Sequence, residues 1–69
     1  DLVYTRINKK LGVELSKMEI ELLICDIVKD NSSTVIKKGK NYYIKNIKKH
    51  IQVTVNSNNY RVITADKIL

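Results

Sequence analysis

The chain predicts an α+β fold, and three observations carry that prediction. Helical periodicity is confined to the first thirty residues, the period changes to two after Asp30 with clean alternation at His50–Val55, and Asn, Ser and Gly clusters punctuate that second part. The chain has 69 residues, which makes one domain. At that length folding buries only about 60% of the surface the unfolded chain exposes, close to the lower limit for folding alone. The predicted architecture is two N-terminal helices packed on a three- or four-stranded antiparallel β-meander. It forms a single domain over residues 1–69, a helical hairpin at 1–30 and a basic antiparallel sheet at 34–69.

The first helix is expected over residues 2–11, where Val3, Tyr4, Ile7 and Leu11 keep helical spacing and Arg6, Lys9 and Lys10 take the other side. Gly12 is placed to end it, because glycine enters the left-handed conformation without a Cβ penalty. The second helix, over residues 17–30, opens on Ser16-Lys17-Met18-Glu19, the pattern of a capping box, with Leu15 and Ile20 at the positions of a hydrophobic staple. Ile20, Leu23, Ile24, Ile27 and Val28 form its expected core stripe, and Met18, Leu22 and Cys25 form a second apolar stripe. The first helix and the sheet are expected to cover both. A homodimer through Met18, Leu22 and Cys25 is the alternative cover.

After the loop Asn31-Ser32-Ser33 the period changes to two. Strands are expected at 34–37 and 41–45, joined by a turn at Lys38-Gly39-Lys40, and at 50–55 and 60–64, joined by a loop at Asn56–Asn59. That loop pairs Val55 with Tyr60, Val53 with Val62 and Ile51 with Thr64 on one face, leaving Gln52, Thr54, Arg61 and Ile63 on the other. Residues 65–69 read either as an edge strand or as a tail. Tyr42 shares a face with Ile44, so Tyr43, beside Lys45, is the exposed ring of its strand.

Charge divides the chain unevenly. From Asp1 to Thr34 five bases face six acids, a net −1; from Val35 to Leu69 eight bases face Asp66 alone, a net +7. Codon bias toward Lys, Asn and Ile accounts for part of the lysine excess but not for its position. A near-neutral half joined to a strongly basic one implies a scaffold carrying a surface that meets polyanions. Lys37, Lys38, Lys40, Lys45, Lys48 and Lys49, interleaved with Tyr43 and joined by Arg61, are the candidate nucleic-acid contacts. The ammonium groups would neutralise phosphates, and the tyrosine would stack on a base. The same lysines also have a structural use, since lysine on edge strands and turns prevents sheet-to-sheet aggregation.

No catalytic constellation is legible, and the reading is a non-enzymatic protein. His50 has no partner residue at a recognisable spacing, Cys25 is the chain's one thiol and falls on an apolar helical stripe, and Lys37-Lys38-Gly39-Lys40 lacks the glycine-rich context of a phosphate loop. One His and one Cys show no metal-ligand spacing, so neither metal nor cofactor is expected. No apolar run approaches the ~20 residues of a membrane span, and a single unpaired cysteine fits a reducing cytoplasm. The order helix, helix, basic hairpin invites comparison with winged helix-turn-helix proteins. Two helices are one fewer than most of those folds use, and the polar line of the second helix is acidic. If DNA is bound, the hairpin binds it. The alternative reading is a protein-interaction module, a small regulator or inhibitor that docks on an acidic protein surface.

Three segments carry a resemblance. Leu2-Val3-Tyr4-Thr5-Arg6-Ile7-Asn8-Lys9-Lys10-Leu11, Lys38-Gly39-Lys40-Asn41-Tyr42-Tyr43-Ile44, and Val55-Asn56-Ser57-Asn58 with Tyr60-Arg61-Val62-Ile63-Thr64-Ala65-Asp66 resemble a family of small bacterial proteins described as a domain of unknown function. The resemblance spans nearly the whole chain. It implies a bacterial, cytoplasmic, single-domain protein and brings no activity, cofactor or site residue with it.

Overall fold

A computed structural model of the chain describes residues 2–68. Helices α1 (Leu2–Leu11) and α2 (Lys17–Lys29) precede strands β1 (Thr34–Lys38), β2 (Asn41–Asn46), β3 (Ile51–Asn56) and β4 (Val62–Lys67). The strands form one antiparallel sheet in the order β1-β2-β3-β4. The predicted α+β class holds, and the meander has four strands. Ala65–Lys67 continue the last strand, while the expectation for Leu69 lies outside the described residues.

Local chemistry sets the helix ends. Gly12 has φ 68°; its amide donates to the Lys9 carbonyl at 3.3 Å, and the Val13 amide donates to the Asn8 carbonyl at 3.0 Å. These two bonds are the Schellman closure of α1. A Cβ on residue 12 would meet only the Lys67 ammonium, at an ordinary 3.5 Å. Gly12→Ala should therefore cost about 1 kcal/mol through the left-handed backbone alone. Gly12→Asn, which tolerates that conformation, should recover most of the loss; equal urea midpoints for glycine and alanine would contradict this.

Asn8 anchors the link between the helices: its Nδ2 donates to the Leu15 carbonyl and its Oδ1 accepts the Leu15 amide, each at 2.9 Å. The capping box then forms, with the Glu19 amide on Ser16 Oγ at 3.1 Å and the Ser16 amide on Glu19 Oε1 at 2.9 Å. The Ser16 amide holds the Glu19 carboxyl below its ordinary value. Helix α2 stops at Lys29, one residue earlier than predicted, with Asp30 as its extended C-cap.

The β3–β4 hairpin departs from its expected register. Asn56 belongs to the ladder, accepting the Tyr60 amide at its carbonyl and donating to the Arg61 carbonyl, both at 2.9 Å. The loop is therefore Ser57–Tyr60, with Tyr60 at φ 56° and Asn56 Oδ1 accepting the Asn58 amide at 2.8 Å. Val55 pairs with Val62; a bulge then inserts Ile63, and Thr54 pairs with Thr64, Val53 with Ala65 and Ile51 with Lys67. One extra residue on one strand reverses the faces beyond it. Ala65 enters the core in place of the predicted Thr64, and Tyr60 leaves the core face for an exposed loop.

Ile7 and Leu11 of α1, Ile20 and Ile27 of α2, and Ile44, Val53, Val55 and Ala65 of the sheet make the buried core. Helix α1 lies against β4 and α2 against β2, so one sheet face is covered. Val28 is exposed rather than part of the core stripe. Met18 and Leu22 are 71% and 60% exposed, and Cys25 is exposed as well. The expected intramolecular cover of that second stripe fails because, at 100° per residue, it stands opposite Ile20 and Ile27 on the helix.

A polar junction joins the two layers. Asn46 is wholly buried. Its Nδ2 donates to Asp30 Oδ2 at 3.0 Å and to Ser33 Oγ at 2.8 Å, while its Oδ1 accepts the Lys49 amide at 2.9 Å. Ser33 Oγ in turn donates to the Ile27 carbonyl at 2.7 Å. The Ser32 amide and hydroxyl, then the Asn46 amide, hold the Asp30 carboxyl well below the ordinary aspartate value of 3.8. A carboxylate depressed in the folded state contributes its full stability above the unfolded value and loses it as pH falls. Urea midpoints should thus stay level down to about pH 4 and drop below it. Asp30→Asn should flatten part of that drop; an unchanged acid slope in the variant would refute the assignment.

Candidate nucleic-acid interface

The β1–β2 hairpin organises most of the predicted basic residues. Gly39 has φ 62° and Lys40 has no positive φ, the pattern of a two-residue type II′ turn, which needs glycine at its first position. Register then decides faces. Ile36 pairs with Tyr43, Lys38 with Asn41 and Thr34 with Lys45, so by strand alternation these six residues share the sheet face away from the helices. Gln52, Thr54 and Asn56 of β3 and Thr64 and Asp66 of β4 extend that face. Tyr43 lies half-buried on it, its hydroxyl 3.5 Å from Asn41 Nδ2. Thr54 is buried between its neighbours, and the enclosed Thr64 hydroxyl has no hydrogen-bond partner.

Of the eight predicted site residues, the structure brings Lys38, Tyr43 and Lys45 onto this open face. Lys40 sits in the turn at one end of β2, and Lys48 and Lys49 sit in the turn at the other. A six-residue strand separates those ends by about 17 Å. Lys48 stands close enough to Asp30 to add to the pull on its carboxyl. Lys37 alternates to the helix side of the edge strand, opposite Tyr42. Arg61 is not on the open face, contrary to expectation. It lines a groove of about 720 Å³ between the helices, with Tyr4, Glu21, Cys25, Lys29 and Val62 among its walls. It precedes β4 and follows Tyr60 at its positive φ, so strand alternation does not set its side.

Tyr42 packs against the core as expected. Its ring also stacks on Tyr60, with centroids 6.5 Å apart and planes 6° from parallel. Sequence reasoning missed a further partnership, in which Asp66 Oδ1 pairs with Lys10 Nζ of α1 at 3.0 Å. Among the described residues this is the ion pair found, and none of the eight predicted site residues takes part in it. The acid of the basic half thus faces a lysine of the other half rather than a lysine of the open face. Glu19, Glu21 and Asp26 lie on α2 and Glu14 in the link before it, so none of these acids is part of a strand.

His50 closes the β2–β3 turn at φ 57° rather than opening a strand, and Cys25 is an exposed groove residue rather than a packed one. Among the described residues no group of three or more His, Cys, Asp and Glu side chains comes together, and no helix is long and apolar enough to cross a membrane.

Fold and surface together define a small two-layer α+β domain with two helices on one sheet face and a lysine- and tyrosine-bearing face left open. The chain belongs to the DUF3781 family: the family model, described as "Protein of unknown function (DUF3781)", matches residues 1–66. Neither the curated proteins nor the solved structures compared with the chain contain a match.

Proposed function

We propose that this protein is a non-enzymatic domain that binds the nucleic-acid backbone with little sequence preference, through the β1–β2 side of its sheet. The observation that carries the reading is the open face on which Lys38, Tyr43 and Lys45 stand together, with Lys40, Lys48 and Lys49 at its ends. Lysine recognises phosphate as a point charge, without the bidentate geometry that reads base edges. Neutralising phosphates releases condensed counterions, so affinity falls as salt rises. Tyr43 offers a ring on which an unpaired base can stack. The bacterial, cytoplasmic setting expected of this family suits such a role.

Fluorescence anisotropy with random-sequence DNA and RNA at two salt concentrations tests the reading. Three or four phosphate contacts give a log–log salt slope of about −2 to −3.5. No binding at low salt, or binding indifferent to salt, removes the proposal.

One observation favours a second reading, a protein-interaction module. The Met18, Leu22 and Cys25 stripe of α2 is exposed, and wide apolar surface on small proteins marks contact sites. On this reading the sedimentation coefficient rises with protein concentration and Leu22→Lys abolishes the rise. A concentration-independent monomer tells against the homodimer.

A further inference from the structure

The two edges of the sheet are not equivalent. Strand β4 is flanked by α1, whereas every residue of β1 is exposed. Val35 and Ile36, on opposite faces of β1, are 57% and 56% exposed. The Lys40 carbonyl accepts the Ser57 amide at 2.8 Å, which turns that peptide toward β3. By alternation the amide and carbonyl of Asn41 face β1, where they meet Lys38 across the two-residue turn. Val35 and Lys37 therefore direct their own amides and carbonyls outward, ready for another strand.

Charge decides which strand that edge accepts. Lys37, Lys38 and Lys40 lie along it within four residues. Pairing β1 with the β1 of a second copy in parallel register, or antiparallel about Lys37, would set lysine against lysine within about 5 Å, one inter-strand spacing. Like charges at that distance reject the self-pairing in those registers. An acidic strand meets the opposite condition.

We propose that the free edge of β1 accepts an extended, acidic segment of a partner protein as a fifth strand. Main-chain bonds form to Val35 and Lys37, and the segment's carboxylates lie against Lys37, Lys38 and Lys40. Backbone pairing supplies affinity, the lysines supply selection, and Val35 and Ile36 offer apolar contacts on the two faces. The inference does not rest on nucleic-acid binding, because its donors and acceptors are backbone groups at the sheet edge.

The test uses two synthetic peptides, one alternating glutamate with valine and one alternating lysine with valine. Amide hydrogen exchange is followed by NMR on the labelled protein. The glutamate peptide should slow exchange at Val35 and Lys37, and the lysine peptide should not. Val35→Pro removes an outward N–H at an edge that tolerates proline and leaves every charge in place. It should weaken the glutamate peptide by about tenfold or more, the scale of losing backbone pairing, while nucleic-acid affinity stays unchanged. The double variant Lys37→Glu/Lys38→Glu should exchange the peptide preference, and it decides the matter if Val35→Pro does not fold. Three outcomes overturn the proposal: no binding of the glutamate peptide at millimolar concentration, binding without slowed exchange at Val35 and Lys37, or an unchanged preference in the charge-reversed variant.

Discussion

Asn46→Ala should destabilise this protein by about 3 kcal/mol, and for a domain of this size that is a large share of the whole. The asparagine is fully buried, and its amide is the hub joining Asp30 at the end of α2, Ser33 in the loop and the Lys49 amide in the β2–β3 turn. Alanine leaves the Lys49 amide without its acceptor, at about 1–3 kcal/mol for a buried group left unpaired. It removes the bonds that Asp30 and Ser33 accept, although the Ser33 hydroxyl keeps the Ile27 carbonyl. It also opens a small void beneath α2. A loss near 3 kcal/mol corresponds to a fall in Tm of roughly 15–20 °C for a chain this short. Circular dichroism on heating measures it. A fall of only a few degrees would show that water replaces the amide and that the junction does not hold the layers together.

The second large effect concerns binding. Lys38→Glu combined with Lys45→Glu changes the charge of the open face by four units while touching no buried group and no described ion pair. At separations near 4 Å in a water-like dielectric each unit is worth about 1 kcal/mol, and salt and geometry reduce the total. Nucleic-acid affinity should fall by about 100-fold at low salt, and the log–log slope should shrink by about 2. The matched control is Arg6→Glu with Lys9→Glu, two exposed bases of α1 with the same change in net charge. If the face binds and net charge alone does not, the control should lose no more than about threefold. Equal losses in both variants would mean that attraction is diffuse and that the open face has no special role.

Much of the fold was legible because much of it is local. Both helices follow from apolar spacing over a few turns, and their ends follow from Gly12 and from the Ser16–Glu19 box, whose bonds span three residues. The β1–β2 hairpin was equally readable, since Gly39 chooses the turn and the turn chooses the register. Asn46 carried a signal that went unread: it continues the alternation of Tyr42 and Ile44, so it had to point into the core, where an asparagine needs partners. Those partners, Asp30 and Ser33, are more than ten residues away and invisible to periodicity.

The β3–β4 hairpin shows where local reasoning stops. Four consecutive residues, Asn56 to Asn59, had the composition of a loop, yet Asn56 joins the ladder and Tyr60 takes the positive φ. The Ile63 bulge then reverses the faces of everything after it. A bulge is chosen by the fit of Ala65 beneath α1 and by twist across four strands. No turn signal encodes that choice. Arg61 left the predicted interface for a different reason: it lies outside β4, next to the positive-φ Tyr60, where strand alternation no longer applies.

The amino-acid order by itself determined that two capped helices precede a basic meander, because spacing, capping and turn chemistry act between residues a few positions apart. It also determined that positive charge belongs to the sheet half. Tertiary structure alone decided which of those charges share a face: Lys38 and Lys45 stand with Tyr43, while Lys37 and Arg61 do not. Strand register, a one-residue bulge and the docking of α1 on β4 are long-range agreements. A side chain changes sides of a sheet with a single step in any of them.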